Sequence, residues 1–247
     1  KAANEEALKL LNAGVDALGL CIAKEGFSAA DLDTLLAGIH IPAIELTFCG
    51  EHIADVAELF LAKVDKEGIA KEEVQANFCI DPLVKGLTSK GDFCSENGAK
   101  CFARIAELIK KSKEYKHIRV VSVSGHIFSN AGSTIVEELA FTLSAGHDYL
   151  VRLMEAGLSI DEAARKLRFS MAVTSNYFME MAKFRAARML WANIVKAYGP
   201  EKNCAGKMFT HAVTSTWNQT VYDPYVNMLR GTTEALSGTF AGIYSRE

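Results

Sequence analysis

The chain has 247 residues, 49% of them hydrophobic and 23% charged, which is ordinary globular composition with enough apolar material for one large domain or two small ones. Its formal net charge of -3 argues against a nucleic-acid partner, which would need a basic stripe to displace counterions. No apolar run approaches the ~18–20 residues that cross a bilayer, and Lys1 leads into Glu5-Glu6 without the apolar core of a secretion signal, so neither a membrane partner nor export is expected.

In chain order, the pattern starts with a helix over 4–12 whose own preceding strand is missing. A strand follows over 17–22. Ser28-Ala29-Ala30-Asp31 opens a helix that Gly38 closes, and further strands are expected over 43–48, 74–80 and 118–123. The stretch 130–157 reads as one long helix, bent or broken near Gly146. Ser159 with Glu162 forms a capping box, in which the serine oxygen accepts a backbone N–H and the glutamate reaches back. A strand over 167–173 precedes a helix that Gly199-Pro200 ends. Another strand is expected over 207–212. Asp223-Pro224 then offers a capping carboxylate before a proline at the first helical turn. Gly242-Ile243-Tyr244-Ser245 looks like a last strand just starting.

Short strands alternating with amphipathic helices require a parallel sheet covered by helices. An open doubly wound sheet would be favoured by G-x-G-x-x-G after the first strand, and that motif is missing. About six strand–helix units fit a (β/α)8 TIM barrel, which takes ~250 residues for eight. The expectation is an α/β chain forming a single TIM-barrel domain over 1–247, incomplete at its first and last strands. Unpaired strand edges would then invite self-association or a neighbouring chain.

The six cysteines, Cys21, Cys49, Cys79, Cys94, Cys101 and Cys204, show no C-x-x-C pair and no metal-like spacing with the histidines. They read as reduced packing thiols in a cytoplasmic protein, and no metal site is expected.

Barrel chemistry sits at the C-terminal ends of the strands. Those ends supply Lys24, Cys49-Gly50, Asp81-Pro82, Ser124-Gly125-His126, Thr174-Ser175-Asn176, and His211 followed by Thr214-Ser215-Thr216-Trp217. His126 and His211 are the candidates for a general acid, because imidazole titrates near neutrality. Ser124, Asn176, Thr214, Ser215 and Trp217 are candidate substrate contacts. Asp81 is read as capping the following turn. Lys183, Ala187 and Trp191 share one helical face and Arg185 and Arg188 another, and the basic run is read as a surface ion-pairing face. Neither a Ser-His-Asp order, a paired-carboxylate motif, a P-loop nor the cobalt-binding D-x-H-x-x-G is present.

Several stretches together resemble the barrel domain of the methylmalonyl-CoA mutase family. They are Val121-Ser122-Val123-Ser124-Gly125, Ala131-Gly132 with Glu138-Leu139-Ala140-Phe141-Thr142-Leu143, the basic run 182–188 with Leu190-Trp191-Ala192, and Thr214-Ser215 with Trp217, Asp223-Pro224-Tyr225, Asn227 and Arg230. The similarity is dense over 118–238, and the phrasing of 4–50 looks more like the small subunit of heterodimeric bacterial mutases. The resemblance implies an adenosylcobalamin-dependent interconversion of methylmalonyl-CoA and succinyl-CoA. It also implies an acyl-CoA threading the barrel, a large catalytic subunit as partner, and a separate cobalamin-binding domain that this stretch does not contain, so no cofactor is expected on these residues.

Three departures from the family pattern bear on activity. After the Ser-Gly turn the catalytic subunit presents a tyrosine and then a histidine that contacts the substrate carbonyl, where this chain has His126 and Ile127. Ser89 stands in place of the arginine that binds the substrate carboxylate. Val213 replaces a glutamine two residues past the later histidine, which survives as His211. A positioned general acid is worth roughly 10²–10⁴-fold, about 3–5 kcal/mol of barrier, and a buried carboxylate without its arginine costs a further ~3–5 kcal/mol. These losses point to a noncatalytic supporting subunit. The competing expectation is an active mutase for a different acyl-CoA ester, with His126 in the lost histidine's role. A metabolite-binding protein has nothing specific in its favour. A bore filled by Phe169, Met171 and Phe209 would favour the supporting role.

Overall fold

The computed structural model describes residues 1–23, 26–88, 96–243 and 245–246. Two compact units emerge, 1–82 with 94–121, and 83–93 with 122–247.

The first unit is built on α1 (Ala2–Asn12), β1 (Ala17–Ile22), α2 (Ala29–Leu35), β2 (Glu45–Gly50), α3 (Ile53–Glu67), β3 (Gln75–Ile80), α5 (Glu96–Lys111) and the start of β4 (His117–Ser124); α4 (Pro82–Thr88) opens at its border. The strands are parallel in the order β1-β2-β3-β4. The capping box at α2 forms as the sequence requires, with Asp31 N–H donating to Ser28 Oγ at 3.2 Å and Ser28 N–H to Asp31 Oδ2 at 3.0 Å. Period-two alternation splits each strand between two faces. Phe48 and Phe78 stack at 5.5 Å between ring centroids and both contact Phe60 of α3, at 5.3 and 5.9 Å. Burying each ring contributes roughly 1.5–3 kcal/mol, which is what holds α3 on the sheet. The other face carries Glu45, Thr47 and Asn77, whose amide donates to Glu45 Oε1 and, at 3.3 Å, to Thr47 Oγ1. Along the outer edge of β1, a groove of about 500 Å³ opens between that strand, α1 and α2, lined by Leu10, Leu18, Leu20, Phe27 and Leu35.

The second unit contains α6 (His126–Asn130), α7 (Ile135–Glu155), α8 (Ile160–Ala164), β5 (Leu167–Val173), α9 (Tyr177–Ala197), β6 (Thr210–Thr214), α10 (Pro224–Phe240) and β7 (Ser245–Arg246), together with Ser122–Ser124 of β4. Strands β5, β6 and β7 are parallel neighbours in that order. Capping boxes at Thr134 with Glu137 and at Ser159 with Glu162 fix the starts of α7 and α8. The Phe169 and Trp191 rings meet edge-on at 4.6 Å. Gly146 lets α7 lie against this pair: a Cβ there would stand 2.7 Å from the Phe169 ring.

The parallel α/β architecture agrees with the sequence reading, and several local expectations need correction. The helix expected over 130–157 starts five residues later, as α7, and α6 before it shares only Asn130 with that range. The chain breaks at Gly132, whose φ of +99° is open to glycine, while α7 runs unbroken through Gly146. Asp223 precedes Pro224 at the start of α10 but makes no capping hydrogen bond through its side chain. The strands expected over 43–48 and 207–212 lie two to three residues later, after a short 3-10 turn at Ile41–Ala43 and at Thr210. Phe169 turns toward α7 and α9, and alternation puts Met171 and Val173 on that same helix-covered side, so neither Phe169 nor Met171 fills a bore. No helix among the described residues is long and apolar enough to cross a membrane.

Candidate functional site

In the second unit, Ser124 and Thr214 end β4 and β6, whereas His211, expected at a strand end, is the second residue of β6 because that strand starts three residues later than expected. Asn176 and residues 215–217 follow β5 and β6 in a region held by a hydrogen-bonded frame. Asn130, at the end of α6, is its centre. Its Oδ1 accepts from Ser215 Oγ at 3.3 Å and from Thr216 N–H at 3.1 Å, and Ser215 Oγ accepts in turn from Trp217 N–H at 3.2 Å. Ser215 is fully buried and its N–H donates to Val173 O at 2.9 Å, extending the β5–β6 ladder by one residue. Ser215 is thus a structural anchor of the segment after β6. Trp217 is 67% exposed, with its ring over Gly132, where an added Cβ would lie 3.2 Å from the indole. Gly125 is closely backed as well: a Cβ there would collide with Thr142 Oγ1 of α7. The Ser124-Gly125 turn therefore requires glycine for close packing.

The segment after β5 rests on buried charges. Lys183 Nζ lies 2.6 Å from Glu138 Oε2 and 2.6 Å from Glu180 Oε2, and donates to Ala172 O at 2.7 Å. Glu138 Oε1 accepts from Ala172 N–H at 2.7 Å, and Thr174 Oγ1 donates to Glu180 Oε1 at 2.6 Å. Burial pushes the Glu138 carboxyl above its ordinary range, opposed by the Lys183 charge and by the hydrogen bonds from Lys183 and Ala172. Nearby, Glu234 of α10 accepts from Asn218 Nδ2 at 2.6 Å. Burial raises its carboxyl too, with the negative charge of Glu180 adding to the shift. Lys183 does pair with an acid of a neighbouring helix, Glu138 of α7, but the surface placement is corrected: Lys183, Ala187 and Trp191 form the buried face of α9, and Lys183 is an internal cation. Arg188 reaches the end of α10, donating to Ala241 O at 2.6 Å.

Among the candidates, His211 is buried on β6, in register with Ser170 of β5, and Val213 pairs with Ala172. His126 and Ile127 begin α6, half-buried, immediately after Gly125. Ser124 and Thr214 are half-buried and Asn176 is exposed. Lys24 and Ser89 lie outside the described residues. Among the described residues no three His, Cys, Asp or Glu side chains are grouped to hold a metal ion.

The sequence reading missed Asn130 and the buried acid–lysine cluster. Asn130 gives no signal, because a lone asparagine at a helix end is ordinary. The cluster does: Glu180 and Lys183 share, at i and i+3, the face on which Ala187 and Trp191 demand burial.

A parallel α/β sheet whose polar segments gather after its strands is a scaffold that places ligand groups at one sheet edge. The methylmalonyl-CoA mutase family model matches residues 9–246, and the chain belongs to that family. It is 39% identical over 98% of its length to the methylmalonyl-CoA mutase small subunit of Porphyromonas gingivalis, covering 39% of that protein. It is 32% identical over 97% of its length to the small subunit from Streptomyces virginiae, covering 38%. Against the human mitochondrial methylmalonyl-CoA mutase it is 32% identical over 87% of its length, covering 29%. The chain thus spans about two fifths or less of the relatives it matches.

Proposed function

We propose that this chain is the barrel region of a noncatalytic small subunit that supports a large catalytic subunit in an adenosylcobalamin-dependent methylmalonyl-CoA mutase. The observation that carries the reading is Ile127, half-buried two residues past Gly125 of the Ser124-Gly125 turn, where the family pattern presents the histidine that contacts the substrate carbonyl. An isoleucine can neither donate a proton nor hydrogen-bond a carbonyl. Val213 on β6 supports the same reading, and the two small-subunit relatives extend over nearly the whole chain.

The reading includes closure into a full (β/α)8 barrel in a cytoplasmic protein. The groove beside β1 supports closure, because an eighth strand would pair there. A partner is supported by the apolar surface leading into α10, where Val221, Tyr222, Tyr225, Met228 and Leu229 are all at least 70% exposed. Such a patch suits a protein interface rich in tyrosine and methionine. D-x-H-x-x-G, which would offer a single histidine to the cobalt of adenosylcobalamin, does not occur in these residues, and the cofactor and the acyl-CoA are assigned to the complex on the family resemblance.

The test is isomerase turnover by the full-length chain with adenosylcobalamin, alone and mixed with the large subunit. Turnover only in the mixture is expected. Turnover by this chain alone would overturn the proposal in favour of an active mutase for another acyl-CoA ester, with His126 and His211 as its catalytic candidates.

A further inference from the structure

Three cysteines occupy the same position, the last residue but one, in three successive parallel strands: Cys21 in β1, Cys49 in β2 and Cys79 in β3. Parallel register turns this repeat into a row. Cys21 pairs with Cys49 across β1 and β2, and Cys49 and Cys79 stand one step beyond the Phe48–Phe78 pair of β2 and β3. The Cys49 thiol meets the Cys79 sulfur at 3.3 Å. Neighbouring strands are ~4.7–4.9 Å apart, within the Cα separation that a disulfide spans, so closing the S···S gap to ~2.05 Å needs side-chain rotation with little backbone movement. The thiols are reduced as expected, but they are not sealed in the core as packing thiols would be. Cys21 is exposed and Cys49 and Cys79 are half-buried, on the polar face shared with Thr47 and Asn77. Both residues of the pair are thus partly exposed, and their sulfurs are already in contact.

We propose that Cys49 and Cys79 form a redox-active dithiol, closed to a disulfide by hydrogen peroxide and reopened by a small-molecule thiol. Each thiol first gives its proton to solvent; one thiolate attacks a peroxide oxygen, the O–O bond breaks, and a sulfenic acid forms as the departing hydroxide takes up a proton and leaves as water. The second thiolate then attacks that sulfur, the S–O bond breaks, the hydroxide takes up the second proton and leaves as water, and both cysteines are oxidised by one electron each while the peroxide is reduced. Two equivalents of the small thiol reverse the bond by exchange and leave as their own disulfide.

The test uses the full-length chain treated with hydrogen peroxide, then alkylated, digested without reductant and mapped by mass spectrometry. A linked peptide joining Cys49 to Cys79 is expected, with loss of two titratable thiols per chain and their return after dithiothreitol. In Cys79→Ser the linked peptide must vanish, leaving Cys49 as a sulfenic acid that dimedone traps. Circular dichroism of the variant verifies that it folds. Full alkylation of Cys49 and Cys79 after peroxide, or a linked peptide joining Cys21 to Cys49 in their place, would overturn the assignment.

Discussion

The Lys183 ammonium lies 2.6 Å from the Glu138 carboxylate in a setting where neither side chain is more than 2% exposed. A second carboxylate, Glu180, shares the same ammonium. Removing the cation would strand two carboxylates in the interior. Lys183→Met keeps most of the side-chain volume and removes the charge, and it is expected to destabilise the fold by about 3–5 kcal/mol, read as the shift in urea midpoint at constant m-value. Adding Glu138→Gln and Glu180→Gln should recover much of the loss, because the uncompensated charges are the cause. If the triple variant is no more stable than Lys183→Met, packing of the lysine stem is the origin instead.

Glu234 gives a pH-dependent prediction. Its carboxyl is raised in the folded state, first by burial and then by the charge of Glu180. Below the unfolded carboxyl value of ~4.3 the group is protonated in both states and exacts no penalty. As pH rises, the unfolded chain loses this proton first, so the stability contribution is lost on passing through the folded value. Glu234→Gln retains an acceptor for Asn218 and removes the titration. The melting temperature of the variant minus that of the parent should therefore be near zero around pH 3.5, below the unfolded carboxyl value, and grow positive toward pH 8. A difference independent of pH would mean that Glu234 is not the titrating group.

Much of this fold was legible because its signals are local. The capping boxes at Ser28 and Ser159, the break at Gly199-Pro200, and the limits of β1 and β5 follow from residues adjacent in sequence. What escaped depends on register or on partners distant in the chain. Lys183 read as a surface base although Glu180, three residues earlier, shares its buried face, because its other partner Glu138 lies 45 residues away. Asn130 reaches Ser215 across 85 residues. The cysteine row needs strands aligned in parallel before it exists, and Gly146 looked like a helix break until Phe169 and Trp191 supplied the rings that it accommodates. Of the candidate site, the ends of β4 and β5 were readable from sequence, while the later start of β6, which puts His211 near that strand's beginning, and the anchoring of Ser215 were not.

Gly146 sets two effects against each other. Glycine inside a helix costs roughly 0.5–1 kcal/mol relative to alanine, so propensity alone favours Gly146→Ala. Its Cβ, however, would stand 2.7 Å from Phe169 Cε1 and 3.0 Å from the Trp191 ring, both in the packed interior. Overpacking of this kind costs about 1–3 kcal/mol and outweighs the propensity gain. Net destabilisation of about 1–2 kcal/mol is expected in urea unfolding, whereas the same change at half-buried Gly231, whose added Cβ would meet nothing within 4 Å, should stabilise.

The apolar surface at the start of α10 is the place to test association with the large subunit. Tyr222 and Tyr225 are 97% and 80% exposed, so replacing both with serine should leave the stability of this chain within about 0.5 kcal/mol. Tyrosines at the centre of an interface cost about 2 kcal/mol or more when truncated, and affinity for the large subunit is expected to fall at least about 30-fold by titration calorimetry. Unchanged affinity would place the interface elsewhere.

His126 separates the two functional readings most sharply. It opens α6 beside Ile127, half-buried, directly after the turn that Thr142 backs. If it had taken over the role of the histidine that Ile127 lacks, His126→Ala would remove a positioned acid and lower kcat/KM by roughly 10²–10⁴-fold. In a supporting subunit the side chain touches no reacting atom. The reconstituted complex carrying His126→Ala should then keep kcat/KM within about twofold of the parent, since no transition-state interaction is removed. Measuring kcat and KM separately adds a second discriminator. A rise in KM with kcat intact would indicate altered acyl-CoA binding, whereas an equal fall in kcat and kcat/KM would show that His126 acts in the chemical step and that the supporting role is wrong.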